Sequence, residues 1–507
     1  MHWRAMSVEH RMGADTASGR PLHRGVLLAI VLASYSMIVI DNSIVITGLP
    51  SIRDGLGFSA AGLSWVQNAY ALAFGGLMML GARAGDLLGR RLVLIVGLAI
   101  FTLASLAIGL AASPAWLVGA RAVQGMGAAI LAPSTLALLS TSFAEGPERN
   151  RVLGWYGAVG GITASVGLVA GGIVADLVSW RAGLFINVPI GVLLIWGARR
   201  YIAETPRRTG RADLAGAILS TLGVVALVYG LVHAAEESWL HRGTAAPLCA
   251  GIVLLALFLK VERRAEQPIL PLRLFASRER SAANAARVLF VGAAMGFFFY
   301  ATQYLQGVLG MRPLWAGITF FPSMLVNFLG ALAAPRLAGR FGNNAVLAGA
   351  LATSLVGMAW LGQIHAATPF VLGVALPMVL VGAGMGASLA LLTIAGVAGV
   401  PREDAGSASG LVGVAHQLGG AFGLALLVVV FAAAGSPSGA NANAELAHRI
   451  GMALSAGAVL MSMAWVLVLA FVMRRPAGAA AQAKDPIPSP KAIAGNGKAV
   501  SDTGEDQ

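Results

Sequence analysis

Charge is scarce in this chain of 507 residues: Asp, Glu, Lys and Arg together make up 11% of it, while 57% is hydrophobic. A water-soluble surface carries about a quarter charged residues, so an ordinary soluble domain is excluded. Cysteine is nearly absent as well. The single Cys249 sits in an apolar stretch, which excludes disulfides and thiolate metal centres. Lysine is rare against a background of alanine, glycine, valine and arginine, a bias that fits a GC-rich bacterial source. Clusters of His, Asp and Glu that would assemble a nucleophile, its base and metal ligands are missing, which argues against a membrane enzyme. Pore-ringed polar repeats are missing, which argues against a channel. No metal and no cofactor is expected.

What fills the chain is apolar sequence. Stretches at 25–49, 62–82, 92–112, 115–141, 152–174, 183–199, 213–234, 245–261, 283–309, 315–337, 344–364, 369–393, 407–433 and 450–473 are each long enough to cross a bilayer. A hydrocarbon layer of about 30 Å needs roughly twenty apolar residues per helical crossing. No water reaches the backbone there, so each span must satisfy its own polar groups as a helix. The 65 glycines are compatible with this, because small residues let membrane helices approach closely. The fold class is therefore an all-α integral membrane protein with 14 transmembrane helices. Arg287 lies near the start of the ninth stretch.

The formal net charge of +13 reports topology, not nucleic acid. With an even number of spans both termini share a side. That side collects 28 of the Lys and Arg residues, among them Arg90, Arg91, Arg149, Arg207, Arg264, Arg280 and Arg340. The opposite loops hold five: Arg53, Arg181, Arg242, Arg312 and Arg449. Basic loops stay in the cytoplasm, so both termini are expected there, in a multi-pass protein of the inner cell membrane. Residues 1–24 are polar and charged and lack a cleavable signal pattern. The segment 476–507 is rich in Ala, Pro, Gly, Lys and Ser without an apolar period and reads as a disordered cytoplasmic tail.

Several short motifs punctuate the spans. Between the second and third lies a basic, glycine-punctuated loop with Gly81, Gly85, Asp86, Gly89, Arg90 and Arg91. A worn copy without the acid, Pro335-Arg336 through Gly339-Arg340 to Gly342, falls between the tenth and eleventh. The first span ends on Asp41-Asn42-Ser43, and the fourth opens on Arg121 and Gln124-Gly125. Trp180-Arg181 and Asn187-Val188-Pro189 follow the fifth, Tyr304 and Gln306 close the ninth, and Gly406, Gly410 and Gln417 mark the thirteenth. Taken in order over roughly 25–473, these motifs resemble the fourteen-helix drug:proton antiporters of the major facilitator superfamily. The resemblance implies two six-helix bundles, 25–200 and 282–475, with two inserted helices and a linker in 201–281. It implies a monomer that exports small amphiphilic drugs or antibiotics in exchange for protons, driven by the proton gradient. A dedicated exporter of one endogenous metabolite, or an importer or facilitator of the same fold, is the alternative. One departure stands out. These antiporters carry a Gly-Pro pair in the fifth helix, and here Leu168 follows Gly167. Gly157, Gly161, Gly167, Gly171 and Gly172 still form a packing stripe.

Asp41 is the acid set well inside a span. A carboxylate at membrane depth is costly and is a functional candidate by default. Burial disfavours its charged form and a nearby cation favours it, so its proton can follow the position of a partner. Counting 1.5 Å per residue puts Asp41 and Arg121 at the same depth, roughly 10 Å below the outer surface. The pair is the proton-coupling candidate, with Gln124 one turn on. The plainer alternatives are a structural ion pair for Asp41 and snorkelling to the headgroups for Arg121. In the 81–91 loop the glycines are expected to make a tight turn that holds Asp86 against the positive end of the helix starting near Gly406. Arg90 and Arg91 would then face cytoplasmic acids such as Glu145; the alternative is a topology anchor. Trp180, Asn187 and Pro189 are assigned to ordering an outer loop. Candidate substrate-lining residues are Asn42, Gln67, Asn68, Gln124, Tyr300, Gln303, Tyr304, Asn327 and His416. A second buried acid is missing, which favours neutral, zwitterionic or monocationic substrates over dications.

Overall fold

The computed structural model describes residues 21–143, 147–205, 213–235, 237–265, 268, 270–400, 405–435 and 441–473. Each of the fourteen apolar stretches lies in a helix. In chain order these are α1 (Pro21–Leu56), α2 (Trp65–Leu88), α3 (Arg90–Gly109), α4 (Pro114–Ser142) and α5 (Pro147–Leu177). Then come α6 (Trp180–Tyr201), α7 (Leu214–Ala234), α8 (Arg242–Glu262), α9 (Arg278–Val308), α10 (Pro313–Phe341), α11 (Asn343–Leu361) and α12 (Phe370–Gly396). The last two are α13 (Ala405–Ala433) and α14 (Ala442–Val472). Among the described residues thirteen of these are long and apolar enough to cross a membrane, and α5 contributes the shorter apolar segment Ile162–Leu177. Large apolar side chains such as Leu103, Leu193, Trp196 and Ile252 stand exposed, as a surface facing hydrocarbon requires.

Local chemistry sets the helix ends. Ser113 accepts a bond from Trp116 N and precedes Pro114 at the first helical position of α4, where the missing proline N–H costs nothing. Asp213 caps α7 through Gly216 N at 2.8 Å, and Asn441 caps α14 through Ala444 N at 2.9 Å. The loop between α2 and α3 differs from the sequence expectation. Gly81 and Gly85 lie inside α2, and the whole reversal is made at Gly89, with φ 102° and ψ 135°. Gly342, between α10 and α11, repeats it with φ 84° and ψ 148°. Only glycine adopts this region freely, so the motif and its worn copy share one backbone device. Gly81 serves packing instead: a Cβ there would collide with the carbonyl of Ala129 on α4.

Packing follows two similar arrangements. In the first, α2 and α3 lie on α4, and α1 lies on α5 and α6; in the second, α10 and α11 lie on α12, and α9 lies on α13 and α14. Across the two, α5 meets α10, α2 meets α13 and α1 meets α9. Small residues also allow close approach within an arrangement. A Cβ on Gly292 of α9 would sit 2.8 Å from the Cα of Gly423 on α13. α7 and α8 pair with each other, and α7 rests on both α2 and α13, over the seam between the two arrangements.

Candidate functional site

Four helices bring a polar cluster into the apolar interior near the middle of the first arrangement. Asp41 of α1, Arg121 and Gln124 of α4 are fully buried, and Asn187 of α6 is 1% exposed. Arg121 Nη1 donates to Asp41 Oδ2 at 2.8 Å, and its Nε donates to the Val66 carbonyl at 2.9 Å. Nη1 also reaches Gln124 Oε1 at 2.6 Å. Gln124 Nε2 and Asn187 Nδ2 each donate to Asp41 Oδ1 at 2.8 Å. Ser105 Oγ on α3 accepts from Gln124 Nε2 at 2.8 Å and itself donates to the Phe101 carbonyl. The guanidinium lies 4.3 Å from the centre of the Tyr70 ring. A buried ion pair recovers its desolvation cost only when further hydrogen bonds satisfy both partners. Here the carboxylate accepts from three separate side chains.

This cluster lies behind the wall of a central cavity of about 490 Å³ between the two arrangements, within the range of small-molecule sites. Asn42, Gln67, Asn68 and Tyr70 line it from the first arrangement, and Arg287, Phe298, Met324 and His416 from the second. It extends past Met78, Leu136 and Val412 toward the arginine-rich loops. At the other end the two arrangements are tied together. Arg312 Nε meets Asp176 Oδ1 at 3.0 Å, and Gln306 Nε2 donates to the Thr47 carbonyl at 2.9 Å. There a Cβ on Gly172 would sit 2.6 Å from the Pro313 carbonyl, and one on Gly317 would sit 2.7 Å from that of Leu168. Leu168, in place of the proline, therefore belongs to the α5–α10 contact. Gly167 and Gly171 face α1, packing on Ser43 and Ile44, while Gly157 and Gly161 lie in α5 but outside the described side chains.

Of the nine proposed lining residues, Asn42, Gln67, Asn68 and His416 reach the cavity. The other five do not. Gln124 belongs to the Asp41 cluster. Tyr300 stacks on Phe431 with ring centres 5.3 Å apart. Gln303 is buried in the helix core, Tyr304 donates to the His365 carbonyl at 2.8 Å, and Asn327 packs against Gly386. Which face of a helix looks inward depends on its rotation against its neighbours, and apolar sequence on all sides carries no record of that. Asn187 is the converse case. Expected to order an outer loop, it sits on the Asp41 carboxylate. Ser105 was missed too; one serine in an apolar run gives no signal.

The described side chains give the basic loop a set of partners of its own. Asp86 Oδ1 pairs with Arg90 Nη2 at 3.1 Å inside the motif, and Arg90 Nη1 donates to the Ala137 carbonyl at 2.8 Å. Arg91 Nη2 donates to the Arg199 carbonyl at 2.8 Å. Gly406 and Glu145, the expected partners, fall outside the described side chains. Glu204, three residues beyond α6, caps α3: its carboxylate accepts from Arg91 N at 3.0 Å and Leu92 N at 3.1 Å. A carboxylate at a helix N-terminus satisfies orphan donors and the dipole together. Glu204→Ala is expected to cost about 1 kcal/mol, read as a lower thermal midpoint of the purified protein; an unchanged midpoint would mean the cap is idle.

Comparison with known proteins places this architecture. The description Major Facilitator Superfamily matches residues 31–424. The chain is 39% identical over 442 residues to the cephamycin export protein CmcT of Amycolatopsis lactamdurans, covering 85% of this chain and 90% of that protein. It is 38% identical over 458 residues to the puromycin resistance protein pur8 of Streptomyces alboniger, covering 87% and 90%. Among solved structures, a bacterial homolog of the human lysosomal transporter Spinster, inward-facing and unoccupied, superposes with a TM-score of 0.64 at 15% identity, over 91% of this chain and 100% of that one. That likeness concerns the fold.

Proposed function

Because this chain belongs to the major facilitator superfamily, and so is a membrane transporter, we propose that it exports amphiphilic drugs or antibiotics from the cytoplasm in exchange for protons. The observation that carries this reading is the central cavity, closed at one end and backed by a buried carboxylate. In this reading the arginine-rich side is cytoplasmic and the structure is open inward. Substrate enters from the cytoplasm and rests against Asn42, Asn68, Phe298 and His416. The contacts of Arg312 with Asp176 and of Gln306 with Thr47 then break while the opposite end closes, which is alternating access. Asp41 takes a proton from outside and releases it inside, and the distance of the Arg121 guanidinium sets when it lets go. The Asp86–Arg90 pair and the Glu204 cap hold the cytoplasmic ends of α2 and α3 as one body.

The test is a substrate panel in everted membrane vesicles carrying a pH gradient. Accumulation that collapses with the gradient supports exchange with protons. Accumulation indifferent to the gradient would sink the coupling, and movement only in the opposite sense would make the protein an importer. The names of both relatives carry a single antibiotic, which favours a dedicated exporter as the second reading; a panel in which one compound alone accumulates would select it.

The gate has its own test. With Cys249 replaced by serine, Asp176→Cys and Arg312→Cys are joined by a short bis-methanethiosulfonate linker, which forms a disulfide with each thiol and releases sulfinate. Transport is expected to stop and to return on reduction. Full transport by the cross-linked protein would mean that this end never opens.

A further inference from the structure

We infer that the substrate held in the central cavity is an organic anion, a carboxylate-bearing amphiphile, and that the guanidinium of Arg287 binds it. This rests on the export reading above and names the substrate class of the same cavity.

Arg287 lies nine residues into α9, lines the cavity and is only 5% exposed. Its neighbours leave its charge uncompensated. Nη1 and Nη2 donate to Thr393 Oγ1 at 3.2 and 2.6 Å, and Nη2 donates to the Leu389 carbonyl at 3.2 Å. Those acceptors are neutral. Nε is buried without any acceptor, and no carboxylate among the described residues forms an ion pair with this guanidinium. Arg121 offers the contrast. It is the same residue type, equally deep, and it has Asp41 at 2.8 Å. Arg121 also keeps a buried Nη2 without an acceptor, so what separates the two arginines is the counter-ion: Asp41 meets the charge of one, and no described carboxylate meets that of the other.

The rest of the cavity has the same bias. Arg287 is the only charged side chain in its described lining, and no Asp or Glu faces it. Asp41 is turned away, with its carboxylate bonded to Arg121, Gln124 and Asn187. Gln67 Nε2 and Asn68 Nδ2, on the facing wall, are buried donors with no acceptor, although the Asn68 carbonyl oxygen is unpartnered as well. His416 contributes no negative charge in either protonation state. Burying a cation with no counter-ion is expensive, and at membrane depth such a group marks a substrate path. A carboxylate supplies what Nε lacks, and arginine binds carboxylates through paired N–H donors. Most of the remaining lining, including Phe74, Met78, Met295, Phe298 and Leu424, is apolar, and flexible methionines accept bodies of varied shape. Buried acids, scarce in the sequence, do not set the charge of this cavity; the charged group that faces it is a cation.

The experiment compares two probes that differ only in charge, diethylaminocoumarin carboxylate and its primary amide. Both are titrated at neutral pH onto the full-length protein in phosphatidylcholine nanodiscs. The wild type is expected to favour the carboxylate by roughly ten- to a hundredfold, the scale of a hydrogen bond to a charged group. Arg287→Gln is expected to bring that ratio close to unity, and Arg287→Lys to keep part of it, since it retains the charge without the fork. Equal wild-type affinities overturn the inference whether or not the variants fold, and so does an Arg287→Gln protein that keeps the preference. Repeating the titration with phosphatidylglycerol in the discs separates the sources of anion. Loss of the carboxylate preference there, with Arg287-dependent retention of that lipid in native mass spectra, would assign the arginine to a headgroup and overturn the inference. The vesicle assay keeps the two readings apart. Transport of both probes without charge preference removes the anion site and leaves export standing. A binding preference without transport of either supports the anion site and counts against export.

Discussion

Asp41→Asn is expected to abolish substrate-evoked proton flux in liposomes, read on the protein that purifies folded, because the variant leaves the buried Arg121 guanidinium without its counter-ion. Asparagine matches aspartate in shape, and its side-chain oxygen can still accept from Arg121 Nη1, which lies 2.8 Å from the carboxylate, while its amide nitrogen loses the bonds that the carboxylate accepts from Gln124 Nε2 and Asn187 Nδ2. Arg121 keeps the Val66 carbonyl at 2.9 Å, Gln124 Oε1 at 2.6 Å and the Tyr70 face at 4.3 Å. The amide resembles the protonated acid, a state the proposed cycle visits, so substrate binding and downhill exchange persist. What is lost is the change of protonation itself, and with it all accumulation against a gradient. The measurement uses purified protein in liposomes with a pH dye inside and a fluorescent amphiphile outside. Retention of substrate-evoked flux by this variant would remove Asp41 from the mechanism and turn attention to His416 or to an uncoupled facilitator.

Arg121→Ala has the larger effect on stability. It leaves a fully buried carboxylate without its counter-ion, and breaking a buried pair from one side typically costs about 3–5 kcal/mol. It also opens a void beside Tyr70 and leaves the Val66 carbonyl without the Nε donor. The penalty comes mainly from the stranded charge, so it should be relieved by removing that charge. Asp41→Asn added to Arg121→Ala is expected to regain a large part of the lost thermal midpoint, followed by fluorescence size-exclusion after heating. A double variant no more stable than Arg121→Ala alone would show that packing of the long side chain, not the ion pair, is what this position supplies.

The spans and the buried acid were both legible in the sequence. Each apolar run became a helix because a backbone in hydrocarbon has no other partner for its polar groups. Asp41 was conspicuous because an acid inside such a run is costly. Helix ends were less legible. α1 runs through Pro50 to Leu56 and packs there on Trp180, with Gly48 against its Cβ and Gly55 against its indole nitrogen, so the proline did not end it. Gly81 and Gly85 looked like turn residues because glycine serves turns and close packing alike, and only the neighbouring α4 backbone distinguishes the two. Asn187 and Glu204 carry no local mark of their partners, which lie 146 and 113 residues away.

By itself, then, the sequence determined that the chain is a bundle of membrane helices, that the glycine-punctuated motif between the second and third spans has a worn copy between the tenth and eleventh, and that one carboxylate would lie inside a span. These follow from hydropathy, glycine stereochemistry and the cost of burying charge, all of which act within a few residues. Only the tertiary structure decided which polar side chains share a space. It put Asn187 on Asp41, turned Tyr300, Gln303 and Asn327 away from the cavity, and left Arg287 facing it without a counter-ion. Those outcomes depend on how each helix is rotated against several others. In a chain that is apolar on nearly every face, that rotation is set by small-residue contacts such as Gly292 against Gly423 and not by any periodicity that one segment displays alone.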